Sequence, residues 1–376
     1  MHYLAITTPT LQRSLTVLAG ICLTILLIQL ADRIQPRSYT FRWQNISSRF
    51  QLRVIWMSLG AIIVITILAG VGLIVGDYPI PASKAIATAL WDRNGEYDFI
   101  VNSLRFPRII VAILAGMCFA SSGLIFQSLI NNPLVSPDII GINSGAAVLA
   151  VAILAAGGNI AYLPYAAFLG ALLTAALIYL LSWKRGISAT RLVLVGIGIN
   201  AVLGAIITYI TIKYPIERVI AAARWQAGTL FGATWDDART LSIGLLLLLP
   251  PAFFLTTRLR ILQLGDETAI TIGSKIERDR LALLAVASLL AALAVSVVGP
   301  LGFVALIVPQ AARLLIGSIT GGVLIFTALL GGFFLLGADL IAQRLFAPVM
   351  LPAGVITATF GGPYFLYLLA RYNRAN

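Results

Sequence analysis

The sequence predicts an all-α polytopic membrane protein in which ten apolar helices cross the bilayer. Of its 376 residues, 60% are hydrophobic and only 11% are charged, whereas about 25% of residues are charged in an ordinary soluble domain. The apolar residues also fall into runs close to the roughly 20 residues that a membrane-crossing helix needs. A soluble globule of this size could not bury so much apolar surface, and disorder requires low hydrophobicity. Soluble enzymes and disordered proteins are therefore excluded.

The ten predicted crossings are apolar runs, and Pro or Gly residues mark several of the joins between them, as at Gly157-Gly158 and Gly299-Pro300. Strands are not expected within these runs, because a membrane-spanning strand has about ten residues of alternating polarity. In chain order the predicted crossings are 53–75, 106–130, 139–157, 161–182, 189–212, 240–257, 280–298, 303–316, 322–341 and 353–370.

Lys and Arg residues are concentrated in alternate connecting segments. If the first crossing runs from inside to outside, 16 of the 26 Lys and Arg residues fall on the inside and 9 on the outside. Cytoplasmic segments of membrane proteins carry such an excess of positive charge. We therefore predict that both ends of the ten-helix unit, including the C-terminus, are cytoplasmic. The net charge of +12 then reflects membrane topology, and no nucleic-acid partner is predicted.

Residues 1–50 form an N-terminal extension ahead of the ten-helix domain of residues 51–376. The extension contains the apolar run 15–30, which follows Arg13. An eleventh crossing, a signal-like segment and an interfacial helix are all compatible with a run of this length. No small-residue cleavage site follows the run, so an extra crossing or a membrane-dipping helix is favoured.

The chain lacks the residues for ATP hydrolysis or for a resident metal. No G-x-x-x-x-G-K-[ST] motif occurs, so the chain cannot bind ATP through a P-loop. One histidine, His2, and two isolated cysteines, Cys22 and Cys118, cannot form a cluster of metal ligands. We therefore predict no catalytic residue, no metal site and no cofactor bound by this chain.

Few polar residues lie inside the predicted crossings. Uncharged polar residues in such helices either tie helices together by hydrogen bonds or line a translocation path. Asp339 lies near a helix end, where a solvated side chain and a functional site both fit. The uncharged residues of interest are Gln127, Asn143, Ser144 and Asn200.

The loop between the sixth and seventh crossings has the pattern of a short helix that a partner could grip. Asp266 and Glu267 suit its first turn, because the helix dipole favours negative charge there, and Gly265 and Gly273 bound it. Small side chains would let another surface approach closely, although an ordinary solvated connector fits the spacing equally well. The candidate segment comprises Leu264, Gly265, Asp266, Glu267, Thr268, Ala269 and Gly273.

Eight short motifs follow one another between about residues 70 and 372. They are Leu104–Arg108, Ser122–Leu134, Ser136–Asp138, Trp225–Gly228, Leu264–Thr268, Gly299–Val304, Pro309–Arg313 and Leu351–Val355. Through them the chain resembles the FecCD or BtuC-like permease subunits of bacterial ATP-binding cassette (ABC) importers for ferric siderophores, haem and vitamin B12. Gly361-Gly362 and Ala342-Gln343 are similar to the FepG-type branch, which imports ferric catecholate siderophores.

This resemblance implies a BtuC-like bundle of ten helices per subunit in the bacterial inner (plasma) membrane. It implies two permease subunits around a central path, the second being a copy or a homologue, and two ATPase subunits that bind ATP–Mg. A periplasmic or lipid-anchored binding protein would deliver the ferric siderophore. Residues 264–273 would then couple ATP hydrolysis to a switch of the membrane-embedded helices between outward-open and inward-open states.

The resemblance also implies a docking site for the binding protein at the outer end of the second crossing. Similar arginines in the family form contacts with glutamates of the binding protein, which favours Arg105 and Arg108 as the docking residues here. Anchoring of these two side chains at the membrane interface is the alternative. In place of a third family arginine this chain has Gln343, followed by Arg344. At position 310 the family usually has His, whereas this chain has Gln310.

Functions of three classes are compatible with these observations. The favoured function is that of an ABC importer permease for a ferric siderophore, whose path needs no metal-binding side chains. Haem or vitamin B12 would suit the same path. A secondary transporter would predict uptake without any ATPase, and a membrane scaffold would predict no substrate flux.

Overall fold

The structure is a computed structural model that describes residues 38–375 except 44–45, 77, 92–94, 185, 187, 318–319 and 346–349. The apolar run 15–30 lies outside the described residues. Within them, one β-hairpin precedes a bundle of α-helices.

The described part of the chain contains fourteen α-helices. A π-helix at Phe99–Arg105 continues directly into the third of them, and a 3₁₀ turn at Ile160–Tyr162 continues into the sixth. The helices are α1 (Leu52–Ile74), α2 (Ala82–Leu90), α3 (Phe106–Ile130), α4 (Pro137–Ile140), α5 (Ile142–Ala156), α6 (Leu163–Ser182), α7 (Ala189–Lys213), α8 (Ile216–Gln226), α9 (Trp235–Leu262), α10 (Asp266–Thr271), α11 (Ile276–Val298), α12 (Val304–Ile316), α13 (Gly321–Arg344) and α14 (Ala353–Ala375).

All ten predicted apolar runs are helical, which confirms the predicted fold class. Among the described residues, seven helical segments are long and apolar enough to cross a membrane. The apolar helices α5 and α12 have only 15 and 13 residues. At 1.5 Å per residue each is about 20 Å long, which is less than the roughly 30 Å of the hydrocarbon core. The seven segments are Leu52–Ile74, Phe99–Ile130, Ile160–Ser182, Thr190–Lys213, Trp235–Leu262, Ile276–Val298 and Gly321–Arg344.

An antiparallel hairpin of β1 (Ser38–Trp43) and β2 (Ile46–Gln51) leads directly into α1. In its register Tyr39 pairs with Phe50, and Trp43 pairs with Ile46. The hairpin is an addition to the predicted elements, because its strands lie outside the apolar runs. It belongs to the segment that the charge distribution predicts to be inside.

Helix α3 lies at the centre of the bundle. In the most apolar stretch of Phe99–Ile130, 78% of the residues are buried, compared with 72% for α11 and 6% for α7. Gly116 of α3 and Gly331 of α13 bring two backbones together, because a β-carbon on either glycine would overlap the carbonyl oxygen of the other. Small residues permit such close approach between membrane helices. The bundle is therefore organised around α3, whereas few residues of α7 are buried.

Two hydrogen bonds establish which helix ends lie together. Trp235 Nε1, at the start of α9, donates to Asn102 O, just ahead of α3, at 2.7 Å. Gln263 Nε2, just after α9, donates to Ser128 O near the end of α3 at 3.4 Å. Helices α3 and α9 therefore run in the same direction, as expected for the second and sixth of the predicted crossings. We call the end near Asn102 the outer end and the end near Ser128 the inner end.

Candidate docking and coupling sites

Arg108 and Asp339 form a buried ion pair at the outer end. Arg108 Nε lies 2.8 Å from Asp339 Oδ2, and Arg108 Nη2 lies 2.7 Å from Asp339 Oδ1. Gln343 Nε2 donates to the same carboxylate at 2.9 Å. The Arg108 and Asp339 side chains are only 13% and 2% exposed, and the two-point geometry is a strong one for Arg and carboxylate. A solvated Asp339 is therefore wrong, because the packing of α3 on α13 encloses its carboxylate.

Arg105 holds the C-terminal end of α1. Its Nη1 donates to Leu73 O at 2.7 Å and to Ile74 O at 3.1 Å, and its Nη2 donates to Tyr78 O at 2.6 Å. The last carbonyls of a helix have no partner within the helix, and a cation there is favoured by the helix dipole. Gly76 leaves room for the guanidinium, because a β-carbon at this position would overlap it. Arg105 and Arg108, two of the three predicted docking arginines, are thus bonded within the chain.

The third predicted docking residue, Arg344, is the last residue of α13 and is partly buried. Its neighbour Gln343 bonds Asp339 at the position where the resemblance implies an arginine. Arg108 and Gln343 thus both bond the carboxylate of Asp339, whereas Arg105 bonds the carbonyls at the end of α1. The docking role of Arg105, Arg108 and Arg344 stays a prediction.

The candidate coupling segment forms a short helix at the inner end, as the sequence predicts. Asp266 and Glu267 occupy the first turn of α10. Gly265 precedes it with φ +95° and ψ 154°, and Gly273 follows it with φ +86°. Only glycine adopts such backbone conformations at little cost, so the two glycines define where the helix starts and stops.

One side of α10 is anchored and the rest is exposed. Ala269 is fully buried, and Arg280 Nη2 of α11 lies 2.8 Å from Asp266 Oδ1. The expectation that Ala269 leaves room for an approaching partner is therefore wrong, because this side chain packs against the protein. Exposed apolar residues on a fixed base are typical of a protein contact site. The exposed ones are Leu264, Ile270 and Ile272, at 60%, 64% and 58%.

The uncharged polar residues of the crossings differ in their partners. Gln127 is fully buried and bonds to α12, and Ser144 Oγ of α5 donates to Asn200 Oδ1 of α7. Asn143 is buried, and its Oδ1 has no hydrogen-bond partner among the described residues. Helix tying is thus observed for Gln127, Ser144 and Asn200, while a role in the translocation path stays a prediction for all four.

An open cavity of about 560 Å³ lies between the ends of α8 and α11 and the start of α14, near the outer end. Backbone hydrogen bonds hold its walls: Gly354 N donates to Gly228 O at 3.1 Å, and Thr229 N donates to Val298 O at 2.9 Å. The lining residues are uncharged and mostly small. They are Gln226, Ala227, Pro300, Gly302, Gly354, Val355, Ala358 and Thr359.

The sequence did not single out these cavity residues as a site. Three of the lining segments fall in motifs that supported the family resemblance and no more specific role. These motifs are Trp225–Gly228, Gly299–Val304 and Leu351–Val355. Small apolar residues have no chemical signature in a sequence. Their convergence depends on how α8, α11 and α14 pack, so the motifs were the only available signal.

No group of three or more His, Cys, Asp or Glu that could hold a metal ion occurs in the part of the chain that the structure describes. The polar groups of the two ends are instead arginines, amides and carboxylates that bond to the helices around them. This arrangement can hold helix ends in place and can present surfaces to other proteins, but it has no nucleophile or acid–base pair aimed at a substrate.

The fold and its two ends define a class: a polytopic helical transport subunit with a cavity near one end and an exposed short helix at the other. The sequence profile of the FecCD transport family matches residues 60–371, and the chain belongs to this family. The predicted function as an ABC importer permease is thereby confirmed. The protein is a transporter subunit and not an enzyme.

Two relatives and one solved structure illustrate this similarity. The chain is 38% identical over 310 residues to the ferric enterobactin transport system permease protein FepG of Escherichia coli, covering 82% of this chain and 94% of the relative. It is 36% identical over 359 residues to the cobalamin import system permease protein BtuC of Halobacterium salinarum, covering 93% and 94%. A metal-chelate type ABC transporter in an inward-facing conformation matches with a TM-score of 0.74 at 25% identity, over 84% of this chain and 99% of that chain.

Proposed function

We propose that this chain carries a ferric siderophore across the bacterial inner membrane. The similarity to a ferric enterobactin permease supports this substrate. The cavity near the outer end is the structural observation that carries the proposal, because its lining has no charged residue, no His and no Cys. A ferric siderophore already surrounds its iron with organic ligand, so it needs a wide and uncharged wall and no protein ligand to the metal.

Helix α10 is the proposed contact with the ATPase. Its position at the inner end supports this role, and so do the exposed Ile270 and the flanking Leu264 and Ile272, because a partner could bury an apolar surface there. The ion pair between Asp266 and Arg280 would pass a push on α10 to α11. ATP–Mg would bind to the partner ATPase subunits, two per importer.

The outer end is the proposed docking surface for a periplasmic or lipid-anchored binding protein. Arg108 uses Nε and Nη2 on Asp339, and a guanidinium has five N–H donors in all. Its remaining N–H groups would donate to a carboxylate of the partner without breaking the internal pair. Arg105 and Arg344 would extend the same basic rim.

Further partners follow from the same proposal. A second permease subunit, either a copy or a homologue, would cover part of α7, whose crossing is only 6% buried within this chain. Membrane lipids would cover the rest. Residues 51–376 would form the permease domain, residues 1–50 an extension, and the C-terminus would lie in the cytoplasm.

Import of cobalamin is the second candidate substrate, since a cobalamin permease is 36% identical over 93% of the chain. Haem stays a third candidate on the family resemblance. Reconstitution of the permease, its ATPase and its binding protein in proteoliposomes separates these substrates. We expect ATP-dependent uptake of a radiolabelled ferric siderophore and none of labelled cobalamin or haem.

Three results would contradict the proposal. Cobalamin or haem uptake without siderophore uptake would refute the substrate. Siderophore uptake by the permease without any ATPase would identify a secondary transporter. Absence of all flux in an assembled, ATP-hydrolysing complex would favour a scaffold.

A further inference from the structure

A side chain in the last turn of α3 supplies hydrogen bonds that α12 cannot form by itself. Pro309 lies inside α12 and has no N–H, so the carbonyl of Ala305, four residues earlier, lacks its usual helical partner. Gln127 Nε2 lies 3.3 Å from Ala305 O and 3.0 Å from Leu306 O. Because an unpaired carbonyl inside a membrane protein is costly, these bonds fasten the start of α12 to α3. Gly123 permits the approach, since a β-carbon there would overlap Ala305.

The same carboxamide also accepts two hydrogen bonds from α12. Gln310 Nε2 donates to Gln127 Oε1 at 3.2 Å, and Arg313 Nη2 donates to it at 2.7 Å. A carboxamide offers two N–H donors and two acceptor lone pairs, and all four are engaged here. Glutamate would lose both donors and face two carbonyls, and leucine would lose every bond. The position therefore requires an uncharged side chain that both donates and accepts.

The loop after α3 is held by the same part of the molecule. Gln310 Nε2 also donates to Pro133 O at 3.3 Å. The loop after α3 is thus fastened at Pro133 to the middle of α12. The residue usually found at position 310 in the family is His, so here a glutamine amide bonds both Gln127 and Pro133.

This cluster lies beside the proposed coupling segment. Ser128, next to Gln127, accepts a hydrogen bond through its carbonyl from Gln263, which lies two residues before Gly265. At the same end of α12, the Phe303 ring fills the space beside Gly361 of α14, the helix that supplies one wall of the outer cavity. The start of α12 therefore contacts both the inner end of α3, near α10, and the helix that forms this wall.

We infer that Gln127 is a positioning residue that makes α12 and the loop at Pro133 move as one body with the inner end of α3. The inference deepens the proposed function and rests on it. Displacement of α10 by the ATPase would then reach α12 through the bond between Gln263 and Ser128. Without the Gln127 amide, α12 would no longer follow α3, and ATP hydrolysis would continue without moving cargo.

The test uses the full importer in proteoliposomes and measures cargo moved per ATP hydrolysed. We expect Gln127→Leu and Gln127→Glu to lower this ratio by about tenfold, within the range of coupling free energies between sites. Ser122→Ala is the matched control, because Ser122 is also buried on α3 and bonds Ala287 O of α11 at 2.7 Å. It removes one buried interhelical bond away from the cluster, and its ratio should equal that of the wild type.

A wild-type ratio in Gln127→Leu would overturn the inference, and so would an equal loss in Ser122→Ala, which would indicate a purely structural effect. If the Gln127 variants fail to assemble, Gln310→Ala replaces them, because it removes the bonds to Gln127 Oε1 and to Pro133 O. This variant should also lower the ratio, and a wild-type ratio would overturn the inference. Wild-type protein without ATP-dependent uptake would refute the proposed function itself, which is a distinguishable result.

Discussion

The two ends of the bundle differ in how their charged and apolar groups are used. At the outer end Arg105 and Arg108 bond to carbonyls and to a buried carboxylate of the same chain. At the inner end, α10 and the residues flanking it have one fully buried side chain, Ala269, and three apolar side chains more than half exposed. Arg105 and Arg108 at the outer end are thus bonded within the chain, whereas the segment around α10 at the inner end presents apolar side chains that this chain leaves uncovered.

The difference indicates how each end would work with a partner. A partner at the outer end meets arginines that already hold α1, α3 and α13 together, so its binding would act on helix ends that are fixed. A partner at the inner end could bury apolar area that is exposed now, and this is favourable at roughly 25 cal/mol per Å². We therefore expect the outer end to orient a binding protein, and the inner end to supply most of the apolar contact with an ATPase.

The largest expected effect comes from breaking the outer ion pair. Asp339→Ala leaves Arg108 buried without its carboxylate, which costs about 3–5 kcal/mol when one partner of a buried pair is removed. We expect a markedly lower unfolding temperature of the detergent-solubilised protein, measured by tryptophan fluorescence. An unchanged temperature would contradict a clamp between α3 and α13.

The charge-swapped double variant Arg108→Asp with Asp339→Arg sharpens this comparison. It restores an ion pair of reversed polarity, so stability should partly recover. If Arg108 also docks an acidic binding protein, affinity for that protein should stay low, most clearly at low salt where charges are least screened. Recovery of both stability and docking would assign Arg108 an internal role alone.

A smaller effect is expected from the exposed apolar surface of α10. Ile270→Ser should leave the unfolding temperature unchanged and weaken the complex with the ATPase, because burial of an isoleucine side chain contributes about 1.5–3 kcal/mol. Titration of labelled ATPase onto the permease in nanodiscs measures this change. Ile220→Ser on α8 is the control, since Ile220 is 47% exposed at the opposite end; equal weakening by both variants would argue against a contact at α10.

Gly265→Ala tests the backbone conformation at the start of α10. No atom lies within 4 Å of the added β-carbon, so only the strain at φ +95° remains, about 1–3 kcal/mol. We expect a normal unfolding temperature of the bundle and less cargo moved per ATP. Gly204→Ala is the control, because this glycine of α7 also has open space but no positive φ.

The smallest effect is expected at the ion pair of α10. Asp266→Asn removes a pair whose side chains are 53% and 19% exposed, so the loss of stability should be about 0–1 kcal/mol. Its effect on coupling should shrink at about 1 M salt, where the screening length is near 3 Å. A loss of coupling that is independent of salt would indicate that Asp266 contacts the ATPase directly.

Local features at the inner end were predictable from the sequence. Gly265 and Gly273 mark the bounds of α10 because the chain needs their backbone freedom there, and Asp266 and Glu267 mark its first turn through the helix dipole. These signals involve residues within one turn of each other. In contrast, Arg108 lies 231 residues along the chain from its partner Asp339. Gln127 lies 179 residues from its partner Leu306.

The amino-acid sequence alone determined the all-helical membrane class, the ten apolar runs and the short helix after the sixth of them. Hydrophobicity, run length and glycine geometry act locally, so a sequence displays them directly. Only the tertiary structure decided that Asp339 is buried, that Ala269 faces the protein, that Arg105 and Arg108 are bonded within the chain, and that Gln127 completes α12. Each of these depends on which helices pack together, and hydrogen bonds between distant segments leave no periodic trace in the sequence.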